Sequence, residues 1–131
     1  MSTIADTAKV TGNAMVMEEA KVYGNAQVGG YALVSGTAAV YGSAHVQGSA
    51  HVHGNAKVYG WAEVRGIARI KGNAMVEGYA WVYGDAWITG NAKIGGNAQI
   101  GGNATILGGD WDGSDGSITE GTWKSPTERI K

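Results

Sequence analysis

His51 and His53 are spaced for metal chemistry. With one residue between them in an extended strand, their side chains point the same way and their Cα atoms lie about 6.5–7 Å apart, so both imidazoles can reach one ion. A catalytic zinc needs a third protein ligand. The chain has no cysteine to supply it. The remaining histidine, His45, belongs to a different side of the structure derived below, so a third ligand would have to come from another subunit. Asp110, Asp112 and Asp115 have the start of a calcium-loop spacing, but such a loop wants Gly where Asp115 stands and Glu where Gly121 stands. Neither constellation is complete, and no metal or other cofactor is expected.

The aromatics are the more informative set. There is no Phe, and of the nine Tyr and Trp residues from Tyr23 to Trp87 several stand at a set interval from one another. Tyr23, Tyr41 and Tyr59 are 18 apart, as are Trp61 and Tyr79, Arg65 and Tyr83, and Arg69 and Trp87; the last two pairs are spaced as cation–π neighbours. Rings gathered on a surface serve recognition by stacking or by apolar contact.

The element that places them is a six-residue sentence, written for example Gly54-Asn55-Ala56-Lys57-Val58-Tyr59. Read as small-x-aliphatic-x-Gly-x it runs eighteen times without insertion or deletion from Ser2 to Gly109. The first position is Ala except at Ser2, the third is Val or Ile throughout, and the fifth is Gly except at Asp6 and Glu18. Ala and Val two apart share one face of an extended strand, and the residues between them face the other way. Gly followed by a turn former such as Asn13, Asn25, Ser43, Asn55, Asp85 or Asn97 bends the chain after each short strand. A glycine every sixth residue excludes helix.

A strand and a bend repeated in this way coil up, successive coils pairing as parallel strands about 4.8 Å apart. The 18-residue recurrence makes three hexads one turn, so the repeat predicts a three-sided prism of about six coils. Its interior is a column of Ala and Val/Ile with no room for aromatics, and Tyr and Trp fall on outward or corner positions. Residues 2–109 form this domain, and residues 110–131 are a short C-terminal cap in which Ile118 and Trp123 fold over the last coil. No cap is visible before the first coil.

Uninterrupted Gly-Asn-Ala-x-Val-x-Gly sentences resemble the YdcK-type β-solenoid proteins, within the hexapeptide-repeat class of left-handed parallel β-helices. The resemblance covers residues 2–109, and the left hand is what it implies. Gly121-Thr122-Trp123-Lys124-Ser125-Pro126 is similar to a stretch that follows the solenoid in some phage members, which continue further. Many of the members that resemble this chain most, with near-perfect repeats, are phage or prophage encoded and have no assigned activity.

The same class includes trimeric acyltransferases, which use a histidine base and a loop inserted between hexads, and zinc-dependent β-helical carbonic anhydrases. This chain has no insertion from which to build a cleft, and His45, His51 and His53 all stand at outward positions. A net charge of −1, with 16% charged residues, opposes a broad electrostatic footprint for nucleic acid or anionic membrane. Lys57, Arg65, Arg69 and Lys71 form a basic run that Glu63 and Glu77 interrupt. No apolar run is long enough to span a bilayer or serve as a secretion signal, so the cytoplasm, of a host if the chain is phage-encoded, is the expected location.

The expectation is therefore a non-enzymatic interaction or assembly module. It binds a second copy of itself, as dimer or trimer, or a host or phage protein, through a band made of Tyr23, Tyr41, Tyr59, Trp61, Tyr79, Trp81, Tyr83 and Trp87. An acyltransferase, a zinc enzyme of the carbonic-anhydrase kind and a carbohydrate-binding solenoid are the alternatives. Nucleic acid and membrane are not expected partners.

Overall fold

The computed structural model describes residues 3–114 and 116–130; Ser2, which opens the first hexad, and Asp115, of the calcium spacing, lie outside the described residues. Every element among the described residues is a strand, most of them two residues long, and they form three sheets, parallel apart from the last strand of the third, that are the walls of a three-sided coil of about seven turns. The first wall runs from Thr3–Ile4 to Asp110–Trp111, the second from Lys9–Val10 to Ser117–Ile118, and the third from Met15–Val16 to Thr122–Ser125. Along each wall the partner is 18 residues away, as in Lys57↔Met75, Glu63↔Trp81 and Arg69↔Trp87.

The interior follows from the alternation. From the second coil onward the Ala and Val/Ile columns are fully buried, and no polar or charged residue is buried among the described residues. From Gly12 to Gly102 the backbone turns after each strand because the fifth position adopts positive φ, and stacking reinforces the need for glycine there. At Gly66, with φ 69°, an added Cβ would come within 2.9 Å of both the nitrogen and the oxygen of Gly84 in the next coil. Glu18 takes the same conformation at φ 59°, and its carboxylate accepts the Gly36 N–H at 2.9 Å.

The two ends differ. At the start, Ile4 is 47% exposed, Val10 and Val16 are only partly buried, and the three first strands have a neighbour on one side only. At the far end the tail forms a seventh coil as well as a cap. Lys93 pairs with Asp110 and Thr105 with Thr122, steps of 17 residues, whereas Gln99 pairs with Ser117 at the usual 18. The missing residue in the first step moves Trp111 into the interior column opposite Ile94, where it is 3% exposed. The rule that aromatics stay outside holds through the repeat and fails here, where Trp111 takes the register position that Ile94 holds in the coil before. Trp111 Nε1–H donates to Gly108 O at 2.9 Å, and the ring meets Trp123 edge-on at 5.8 Å between centroids. Ile118 is buried beside them, and Glu128–Ile130 folds back antiparallel on Thr122–Ser125.

Candidate interaction surface

The outward side chains of the first wall include the tyrosine column. Tyr23 stacks on Tyr41 at 4.8 Å with ring planes 2° apart, and Tyr41 on Tyr59 at 4.9 Å and 3°. The rings are parallel because each is carried by an identical backbone one coil further on, and the separation is the coil spacing itself. The column ends where Tyr59 O–H donates to Glu77 Oε2 at 2.9 Å. Burial against the neighbouring ring, then the hydrogen bond and negative charge of Glu77, push the Tyr59 phenol up to about 12; Tyr41 is also raised, by burial first and then by Tyr23 and Glu77. This part of the band spends its aromatic surface on itself.

The adjoining corner does not. Trp61 and Tyr79 occupy the same corner in successive coils, their backbone N–H groups fixed by Gly78 O and Gly96 O at 2.8 Å. Both side chains project, at 61% and 62% exposure, and among the described residues neither has a ring partner or a hydrogen bond from its side chain.

On the second wall Arg65 departs from the pairing expected at 18 residues. Its guanidinium lies over Trp81, 4.9 Å from the ring centroid, rather than over Tyr83. The cause is Glu63, which is opposite Trp81 in the register and forms an ion pair with Arg65 Nη2, drawing the guanidinium across the wall. The Tyr83 ring instead folds over Gly101, where any Cβ would collide with it. Arg65, Trp81, Tyr83 and Gln99 line an open depression of about 240 Å³. Around the next corner, on the third wall, the expected Arg69–Trp87 contact is present at 5.0 Å, and Lys71 Nζ approaches the same ring at 4.6 Å.

All eight band residues thus lie outside the tube. Seven of them run from the first wall across a corner onto the second, while Trp87 stands apart with its two cations. Sequence reasoning passed over Tyr31, which is 67% exposed at the corner between the second and third walls. Its 18-residue neighbours are Asn13 and Ser49, so no ring recurrence marked it.

The candidate metal residues do not converge. His51 and His53 are on the third wall and His45 is on the second, paired in register with Gln27 and Glu63. Asp110 lies in a first-wall strand, and the Asp112 carboxylate accepts the Ser114 N–H at 2.9 Å and its hydroxyl at 2.6 Å, bonds that lower its pKa. Among the described residues no three of His, Cys, Asp and Glu come together as a metal site, and no helix is long and apolar enough to cross a membrane.

The family model described as YdcK Beta solenoid repeat matches residues 68–84 and 98–114. Each match spans about one coil, and the second reaches into the closing coil at Asp110–Trp111. This chain is a β-solenoid repeat protein. No curated protein and no solved structure matches it. The solenoid is similar to the YdcK repeat in the stretches that carry Arg69, Lys71, Tyr79, Trp81 and Tyr83, and its three walls agree with the architecture that the repeat implies.

Proposed function

We propose that this solenoid is a non-enzymatic assembly module that binds a second copy of itself through the corner bearing Trp61 and Tyr79, with Trp81 and Tyr83 extending the contact onto the second wall. The observation that carries the reading is the unspent aromatic surface at that corner: two large rings on a backbone pinned by hydrogen bonds, exposed and without intramolecular partners. A rigid wall displaying such rings loses little conformational entropy on binding, and aromatic anchors supply much of the energy of protein contacts. The resemblance to phage-encoded members is the basis for placing this assembly in a phage-related role in the host cytoplasm, where a host or phage protein would be the other partner.

The test is the double variant Trp61→Ala with Tyr79→Ala. Sedimentation velocity is expected to give a smaller species than the wild type, while the circular-dichroism melting midpoint stays within about 4 °C, because two surface truncations of this kind together change stability by less than about 1 kcal/mol. An unchanged sedimentation profile would remove the proposal.

A second reading is sugar binding in the second-wall depression. The flat Trp81 ring lies there beside the polar groups of Arg65 and Gln99. Titrating neutral oligosaccharides while following tryptophan fluorescence separates the two: a saturable change that survives Trp61→Ala and is lost with Trp81→Ala favours the sugar.

A further inference from the structure

The third wall carries a feature that the aromatic corner does not use. From Met15 to Leu107 none of its outward positions is a carboxylate, and in its middle His51, His53, Arg69 and Lys71 occupy neighbouring positions on two successive coils, with Trp87 on the next. Neither Arg69 nor Lys71 has an ion pair among the described residues; both lie against Trp87. His53 has its pKa lowered, first by burial and then, to a smaller extent, by the nearby positive charges of Lys71, His51 and Arg69.

In the linear sequence Glu63 and Glu77 break up this basic run. The coil separates them from it. Glu63 is on the second wall, engaged by Arg65, and Glu77 is on the first, engaged by Tyr59. Asp85 borders the patch at the corner leading to Trp87, without an ion pair to either cation. A protein of net charge −1 therefore keeps the outward positions of this wall from Met15 to Leu107 free of carboxylates.

We infer that this wall binds single-stranded nucleic acid, Arg69 and Lys71 neutralising neighbouring phosphates while a base stacks on the exposed part of Trp87. Trp87 is 37% exposed, so ring surface remains after the cations are seated. The Cα atoms of Arg69 and Lys71 are two residues apart along a strand, about 6.5–7 Å, and the rows are one coil apart, about 4.8 Å. That suits an extended strand whose phosphates and bases alternate, the combination of charge and stacking platform that single-strand binders use. An acidic peptide would satisfy the cations and leave the ring without a stacking partner.

The test uses a short fluorescein-labelled oligothymidylate and fluorescence anisotropy. Binding is expected at low salt and is expected to weaken as salt rises, with a log–log slope of about −1.4, two phosphates at about −0.7 each. Arg69→Gln with Lys71→Gln, which keeps polar stems against Trp87, is expected to weaken binding at least tenfold with an unchanged melting curve. Lys57→Ala on the first wall, and Trp61→Ala with Tyr79→Ala at the corner, are expected to leave binding unchanged, which makes this inference independent of the assembly proposal. Absence of oligothymidylate binding, equal binding by the Gln variant, or binding of heparin or polyglutamate without the oligonucleotide would each overturn it.

Discussion

Inside the tube Val58, Val64 and Ile70 have nearly the same surroundings as their counterparts one coil away; outside it, the same strands present Lys57, Glu63 and Arg69, which share nothing. The difference follows from stacking. An interior side chain meets near-copies of itself above and below, so the shape that fits one coil must fit the next. An outward side chain is held to no such rule, although two columns do exploit the coil spacing: the stacked tyrosines, and a corner ladder in which Thr37 donates to Asn55, Asn55 to Asn73 and Asn73 to Asn91. Where the outside repeats, as at Tyr23, Tyr41 and Tyr59, the column stabilises the stack; where it places large rings without using them on itself, as at Trp61 and Tyr79, they are available to something else.

The largest way to break this comparison is to put an outside residue inside. Val64→Asp buries a carboxylate in a column that contains no polar group, and it is expected to abolish the folded circular-dichroism signal at room temperature, a cost of several kcal/mol. A folded variant would mean that the interior tolerates what its composition excludes. Next comes the corner. Gly66→Val adds a Cβ at φ 69° against the backbone of Gly84 and is expected to lower stability by roughly 1–3 kcal/mol in urea titration.

Two smaller effects sharpen the distinction between the outward columns. Tyr41→Ala removes the middle ring of the stack and is expected to cost about 1–2 kcal/mol, whereas Trp61→Ala, a larger truncation one corner away, is expected to cost less than about 0.5 kcal/mol. Equal costs would erase the difference between a structural column and an available one. The pH dependence is subtler. The Tyr59 pKa is raised in the folded state, from about 10 to about 12, so the folded protein holds that proton longer than the unfolded chain does. Its contribution is present in full below about pH 10 and is lost as pH rises towards 12. The wild type is therefore expected to lose more stability than Tyr59→Phe across that window, by an amount reduced by solvent because the ring is partly exposed.

Much of this was legible beforehand because the repeat is its own ruler. With Ala56 and Val58 inside, Gly60 at the bend and Tyr59 recurring at 18, the walls, the register and the outward set followed by counting. What the count could not reach were places where spacing or direction changes. Trp111 goes inside because the closing coil loses one residue, a shift no hexad marks. Arg65 turns to Trp81 because an ion pair to Glu63 outweighs the vertical neighbour. The sorting of Glu63 and Glu77 away from Arg69 and Lys71 needs the walls themselves, since residues close in sequence point in different directions around a triangle.

The molar mass of the wild-type solenoid by light scattering, taken across a concentration series beside Trp61→Ala with Tyr79→Ala, tests the central claim most directly. The expected result is a multiple of the monomer mass for the wild type at the upper concentrations and the monomer mass for the variant. A monomeric wild type throughout, or a variant that assembles as the wild type does, would contradict the account.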